Sequence, residues 1–500
     1  MITVLGYDAA MWMVRCGLLI LTVAGVACSG AGSKPDGGGG AGGGSGGTGN
    51  RWTGAVSAIN RNVDILFMID DSSSMDLQQA NLIANFPTFM TRLQDPPGLP
   101  NVHIAVVSQD MGAGDGSIAG CDATGGKNGI FQYTARGACT ATNLQGGATY
   151  IVDVAGVRNY TGNLQDVFGC IAALGNQGCG FEHQFASILR ALGADGQAAP
   201  LENQGFLRPD AFLTIVMLTN EDDCSAKPTA PLFDTTKNTN IGSEVGPPAN
   251  FRCNEFGHVC KNAAGMLGRP SRKAPNNDVM STVSYTDCAS DESGEYLLTV
   301  ADTASKLKAL KADPGQIAVV SIQGPSAPYT VTWKAPSTAD SSCGASSCPW
   351  PVIGHSCTAS DGTFADPGVR TAQLAGAFGD NGLVLSICDT NYGPALDRTA
   401  ELINRLVGPT CLTGGVPLDL KTGDPDCKVT EHYTNDVGAV VDKAVPFCGA
   451  SVGVPPCWHL DSAATCLGGA VLNVSSDPEL PLSANATITY DCAKCTSGGC

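Results

Sequence analysis

The sequence predicts a doubly wound α/β fold with a mostly parallel sheet, on three observations. Five short apolar runs, at 64–70, 103–110, 212–219, 316–323 and 383–389, each end in polar residues. The runs are nearly continuous, as in strands buried on both faces of a parallel sheet, and do not alternate. Segments with helical spacing lie between and after them. The full expectation is this sheet carrying long disulfide-rich insertions, followed by a small C-terminal β-rich module.

The helices are placed by their apolar stripes. They are expected at 75–93, at 181–193, at about 294–311, where Leu297, Ala301, Ala304, Leu307 and Leu310 share a face, and at 393–407, where Leu396, Ala400, Ile403 and Leu406 do. Between core elements lie three Gly-, Cys- and Pro-rich stretches, about 111–163, 224–292 and 325–370, too long for ordinary connections. Disulfides are expected to order them. The pairs nearest in sequence are Cys121/Cys139, Cys170/Cys179 and Cys343/Cys348, although spacing alone does not determine connectivity. After 62–410, residues 411–500 carry eight cysteines and short alternating runs, which reads as the disulfide-rich module.

Composition bounds the setting. There are 28 Lys and Arg against 46 Asp and Glu, a formal net charge of −18, which repels nucleic-acid phosphates and favours cations or basic partners. Twenty-two cysteines in a loop-rich chain point to an oxidising compartment. Residues 1–27 read as a signal peptide, with Arg15 ahead of the apolar run Cys16 to Ala27, too short for a comfortable membrane span. Val26-Ala27-Cys28-Ser29 resembles a bacterial lipobox, with Gly25 standing where a Leu-like residue is usual. This implies lipidation at Cys28 and, by resemblance to lipoprotein sorting rules, outer-membrane anchorage, since Ser29 is not Asp. An ordinary signal peptide, or a structural Cys28, is the alternative. Residues 28–61 are then a tether whose Gly-rich part, 29–50, spans roughly 26 Å as a flexible coil.

The most informative segment is Asp64-Ile-Leu-Phe-Met-Ile-Asp70-Asp-Ser72-Ser-Ser74-Met75, an apolar strand running into D-x-S-x-S. It resembles the first strand and metal-ion-dependent adhesion site of von Willebrand factor type A domains, and the resemblance extends to about residue 410. Asp70, Ser72 and Ser74 match position by position. At the end of a strand such residues converge, offering one carboxylate and two hydroxyl oxygens, hard ligands suited to Mg²⁺ or Ca²⁺. The resemblance implies an open coordination position for a carboxylate from a protein partner; an extracellular polymer is the other expected ligand. Without a metal, the same Asp and Ser would simply cap the following helix.

Two departures from the family pattern stand out. The second loop, 175–185, supplies Glu182 and no Thr, and Asn220 stands where the family has Asp, with Asp222 close behind. The shell is therefore expected to include Glu182, Asn220 or Asp222, or the site retains the fold without metal. Asp110 ends the second strand at the same edge and reads as a loop cap that could join the site. His183 and His459 have no second His at zinc spacing and read as core or surface residues. Gly449-Ala-Ser451-Val-Gly453 matches a nucleophile-elbow pattern, but Pro455 and Pro456 deny it the helix it needs. Cys492-Ala-Lys-Cys495 reads as structural disulfide chemistry. The functional expectation is a surface-tethered, non-enzymatic, cation-dependent binding protein. A metal-independent envelope scaffold is the second reading, and a hydrolase using Ser451 or a metal-bound water the remote third.

If acyl chains on Cys28 are the anchor, Cys28→Ser releases the protein from membranes or blocks its maturation, and labelled palmitate enters the wild type only. Membrane retention of an unlabelled Cys28→Ser protein would overturn the lipoprotein reading.

Overall fold

Apolar side chains on both faces of one sheet organise the α/β part. Its strands are β1 (Asn62–Ile69), β2 (Asn101–Ser108), β3 (Ile151–Val154), β4 (Val157–Arg158), β5 (Phe212–Leu218), β6 (Ile317–Gln323) and β7 (Gly382–Ser386). In the computed structural model they lie in the order β7-β6-β5-β1-β2-β3-β4. Neighbours from β7 to β2 pair in parallel, whereas β3 and β4 add an antiparallel edge beside β2. The structure describes residues 51–56 and 60–495, except 95–97, 115–119, 122–124, 137–138, 235, 237–239, 276–280, 336–339, 341–347, 408–410, 414, 436, 450–454, 462–468, 476–481 and 484–485. Cys28, the signal peptide, the Gly-rich segment, Cys343 and Ser451 lie outside the described residues.

The period of two along β1 divides its side chains between two cores. Val63, Ile65, Phe67 and Ile69 join the layer beneath α1 (Asp76–Leu93), α2 (Leu164–Ala172) and α7 (Gly393–Val407). Leu66 and Met68 join the opposite layer, beneath α3 (Gln184–Ala191), α5 (Val300–Lys308) and α6 (Arg370–Gly376). Phe67 meets Phe86, Phe89 and Phe168 at ring distances of 6.0, 6.0 and 4.8 Å, joining sheet, α1 and α2. Side-chain caps start two helices: Asn163 accepts from the Asp166 amide, and Thr299 from the Asp302 amide.

The first long insertion departs from the loop expected of it. Residues 151–158 are the strands β3 and β4 of the main sheet. The other two insertions cooperate: 224–292 supplies α4 (Phe251–Gly257) and the strands His258–Lys261, Leu267–Gly268 and Thr282–Ser290, and 325–370 supplies Tyr329–Lys334 and Trp350–Ile353. These five strands form one antiparallel sheet with its own core of Phe251, Cys260, Tyr285, Tyr329, Val331, Trp333 and Ile353. Two of the nearest-neighbour cysteine pairs are corrected, Cys121/Cys139 and Cys170/Cys179, while Cys343/Cys348 involves a residue outside those described. Cys121 bonds Cys179 and Cys139 bonds Cys170, because the first insertion folds back over α2 and the loop after it. Cys224–Cys253, Cys260–Cys288 and Cys357–Cys388 tie the other two.

Residues from 411 onward form a sandwich. A four-stranded sheet contains Cys427–Thr434, Val440–Val445 and Thr487–Ala493, and a three-stranded sheet contains Cys411–Thr413, Cys457–Asp461 and Gly469–Ser475. Leu412, Val429, Trp458, Leu472, Ile488 and Tyr490 fill the space between them. The fourth strand of the larger sheet is Arg51–Val56, antiparallel to Thr487–Ala493. The end of the expected tether is therefore a strand, and the α/β domain is threaded between the first and later strands of the sandwich. The disulfide Cys427–Cys492 joins two paired strands.

Removing residues 1–59 should strip the Thr487–Ala493 edge of its partner. Hydrogen exchange is then expected to rise at 487–493 and to change little in β1, β5 and β6, whose pairing does not involve that strand. Unchanged protection at 487–493 would contradict the pairing.

Candidate functional site at the carboxyl ends of the central strands

Strand order reverses between β1 and β5: the chain runs outward from β1 to β2, then returns to β5 on the other side. The crevice at the carboxyl ends of those two strands is where open α/β sheets place ligands. Asp70 leaves β1 there, and its amide donates to the Leu218 carbonyl at 2.9 Å. The Asp70 side chain is fully buried. Its Oδ1 accepts from the Ser72 amide at 2.8 Å and its Oδ2 from the Thr219 hydroxyl at 2.8 Å. These partners are neutral, so burial dominates and pushes the carboxyl pKa up.

Helix capping does not account for the two serines. α1 begins after Met75, which makes no side-chain cap, so neither Ser72 nor Ser74 is spent on the helix amides. Ser74 Oγ accepts from Asn220 Nδ2 at 2.9 Å, linking the β1 loop to the β5 loop. Asn220, 1% exposed, also donates to the Phe364 carbonyl at 3.3 Å. The second loop is fixed by Gln79, which exchanges hydrogen bonds with Gly175 and donates to the Asp70 carbonyl. Gly178 is required here: a Cβ would stand 2.2 Å from Asp71 Oδ1. Asp71 itself faces away from the cluster, accepting from Ser108 Oγ at 2.7 Å and pairing with Lys127.

Glu182 is 2% exposed, and its carboxyl group is hydrogen-bonded to that of Glu221. Burial and the fields of Glu221 and Asp70 hold Glu182 well above the usual carboxylate range. Glu221, whose Oε2 accepts from Asn250 Nδ2 at 2.8 Å, is pushed up to about 8 by burial and by the charges of Asp366 and Asp70. Asp366 arrives from the third insertion, its amide donating to the Asn220 carbonyl at 2.8 Å and its Oδ1 meeting His355 Nδ1 at 2.7 Å; burial raises it to about 7. Four oxygens around this strand end, Ser72 Oγ, Glu182 Oε1, Gln184 Oε1 and Asn220 Oδ1, are buried and accept no hydrogen bond from a described donor. Each such atom costs about 1–3 kcal/mol unless something satisfies it.

The structure thus brings Asp70, Ser72, Ser74, Asn220 and Glu182 to one crevice, and it separates Asp222 from them. Asp222 Oδ2 accepts from His258 Nε2 and from the Val369 and Arg370 amides, each at 2.8 Å. Its Oδ1 accepts from the Asp223 amide and from the amide and hydroxyl of Thr371. With both oxygens engaged, Asp222 is corrected from a candidate ligand to a structural residue; against its burial, His258 and then the Arg370 amide and charge hold it down to about 2. Glu221 faces the crevice in its place. Sequence reasoning also passed over Thr219, which supplies a hydroxyl to Asp70 from the β5 side, and Asp366, which no local motif marks. Asp110 caps its own loop, accepting from the Gly112 amide at 2.8 Å. His183 is buried against Phe233, and burial lowers it to about 4.

No protein-family model and no curated protein matches this chain. Among solved structures it is similar to the pilus adhesin SpaC from Lactobacillus rhamnosus GG in its open conformation, at 14% identity and a TM-score of 0.27, covering 88% of this chain and 40% of that one. It is similar to a von Willebrand factor type A protein from Catenulispora acidiphila at 11% identity and a TM-score of 0.28, covering 90% and 61%. The pilus adhesin RrgA from Streptococcus pneumoniae aligns at 10% identity and a TM-score of 0.27, covering 88% and 58%. The chain spans less than two thirds of each of these proteins.

The raised carboxyls have a signed consequence. Folded Glu221 keeps a proton up to about pH 8 that the unfolded chain releases from its ordinary value of 4.5 upward. The associated stability is complete below the lower value and is lost as pH rises through the higher one. Glu221→Gln, which cannot ionise, is expected to flatten the fall in Tm between about pH 5 and about pH 8 in chelator-treated protein. An identical slope in both proteins would contradict the placement of Glu221.

Proposed function

We propose that the crevice binds a divalent cation and that the protein is a non-enzymatic binding protein of adhesion type. The observation that carries this is the set of four buried oxygens lacking donors, gathered around a carboxylate whose partners are all neutral. Among the described residues no three His, Cys, Asp or Glu side chains form a metal-holding group by themselves. An ion held here would need the hydroxyl and amide oxygens as well, an all-oxygen set that fits Mg²⁺ or Ca²⁺ and fits softer metals poorly.

Asp70, Ser72 and Ser74 would hold the ion from the β1 side, with Asn220 Oδ1 and Glu182 Oε1 from the loops facing it. Once bound, the cation supplies a site of positive potential for an anionic ligand group. The chain's own residues do the rest: Thr219 and the Ser72 amide fix the carboxylate, and the Asn220 amide group fixes Ser74. The ligand class is a protein carboxylate or an acidic extracellular polymer. A net charge of −18 disfavours an acidic ligand for the chain as a whole, so recognition would depend on the ion. Seven disulfides among the described residues fit an oxidising, extracytoplasmic setting, to which the lipid anchor at Cys28 would add the outer membrane.

Calorimetric titration with Mg²⁺ and Ca²⁺ tests the proposal. The wild type should bind one ion, Ser72→Ala with Ser74→Ala should abolish binding while leaving the circular dichroism unchanged, and Asn220→Asp should tighten it by restoring a charge. Capture on a carboxylated polymer surface should follow the same order and vanish with chelator. If the wild type and the double alanine both bind neither ion above background, the cation reading fails and the metal-independent scaffold replaces it.

A further inference from the structure

The sandwich carries a second constellation, remote in sequence from the crevice and independent of it. Along the strand Cys457–Asp461, residues Cys457, His459 and Asp461 alternate with Trp458 and Leu460, which turn toward the sandwich core. The neighbouring strand Gly469–Ser475 places Asn473 opposite His459 and Ser475 opposite Cys457. Cys457 is buried and bonded to Cys448, which is half-buried.

Three contacts run in series. Asn473 Nδ2 donates to Asp461 Oδ2 at 2.7 Å, Asp461 Oδ2 meets His459 Nε2 at 3.1 Å, and His459 Nδ1 stands 3.8 Å from Cys448 Sγ. The Asp461 carboxylate beside Nε2 favours the imidazole proton there through its charge and not through a hydrogen bond, and Nδ1 is the ring nitrogen that faces the sulfur. Ser475 Oγ, 3.5 Å from Nδ1, completes that edge. A base beside a disulfide sulfur is placed to take the proton from a thiol that approaches that sulfur.

We propose that Cys448–Cys457 is a thiol–disulfide exchange site, with Cys448 the sulfur attacked, His459 the general base and Asp461 its positioning residue. The co-reactant is a thiol. Its S–H proton passes to His459 Nδ1 as its sulfur attacks Cys448 Sγ. The new sulfur–sulfur bond forms, the Cys448–Cys457 bond breaks, and its electron pair leaves on Cys457, which takes the proton back from the imidazolium. One thiol and one disulfide are consumed and one of each is produced, so no further oxidant or reductant is needed. Burial of Cys457 directs the attack to Cys448. The product is a mixed disulfide, a covalent link between this module and whatever bears the thiol.

The full chain, incubated with reduced glutathione, quenched with iodoacetamide and mapped by mass spectrometry, tests this. The expected result is a glutathione adduct on Cys448 and a free thiol on Cys457 before any of the other six described disulfides opens. His459→Gln should slow adduct formation by about a hundredfold, the lower end of what a general base contributes, and Asp461→Asn should slow it less. A merely structural imidazole gives the opposite sign, since its loss loosens the loop and speeds opening. Equal or faster opening in His459→Gln, or adducts spread over the other disulfides, would overturn the proposal. Cation titration of the same variants should stay at the wild-type value, which separates this site from the crevice.

Discussion

The first strand carries a buried carboxylate near each end, and the two are compensated in opposite ways. Asp64, at the amino end of β1, receives the Arg208 amide and guanidinium at 2.8 Å, with Lys311 at 4.0 Å. Asp70, beyond the carboxyl end, receives an amide and a hydroxyl and no cation. A buried charge without a countercharge costs several kcal/mol, and only Asp64 is given cations that offset part of it, burial still raising it to about 6. The loops above β1 and β5 follow from this: Thr219, Gln79, Gln184 and Asn220 all bond to Asp70 or to groups that do, and Glu182, Glu221 and Asp366 add more acid where a structural site would add base. Lys127, the cation close by, is engaged by Asp71.

Much of the α/β part was legible because it obeys local rules. The five apolar runs fall on β1, β2, β5, β6 and β7, and the stripes at 75–93 and 393–407 fall on α1 and α7; in the four inner strands burial on both faces writes itself into consecutive residues, whereas β7 lies at the sheet edge with Val384 exposed. Asp70, Ser72 and Ser74 were legible for the same reason, lying within five residues of one another. The rest of the crevice was not. Glu221, Asp222 and Asp223 are consecutive carboxylates that end in three environments: Glu221 meets Glu182, Asp222 caps α6, and Asp223 pairs with Arg370 at 3.0 Å. Which of the three faces the crevice is decided by His258 and Arg370, from two other parts of the chain. Asp366 is brought in by a backbone bond to Asn220 across 146 positions of sequence, a distance no periodicity spans.

The insertions show the same division. Their length and cysteine content announced cross-linked segments, yet nearest-neighbour pairing failed at Cys121 and Cys139, since each bonds a cysteine on the far side of α2's start or end. The two later insertions could not be read singly at all, because neither holds a complete sheet: Thr282–Ser290 from one pairs with Tyr329–Lys334 from the other. The second insertion supplies Asn250 to Glu221 and the third supplies Asp366, so the segments that look like ornament in sequence build one wall of the crevice.

Arg51–Val56 bears on mechanics. This strand is joined at its far end, within a few residues, to β1, and along its length to Thr487–Ala493 by an antiparallel ladder. Tension between anything preceding Arg51 and the crevice therefore travels along the strand's own covalent backbone. The sandwich is clipped to the side of that line like a bead on a taut thread, gripping it through the ladder and the Arg51 contacts to Asp491 and Asp426. A pull strong enough to straighten the segment would slide the strand out of its sheet before it strained the disulfide at Cys427–Cys492, so the protein would lengthen under load while both folded parts kept their covalent integrity.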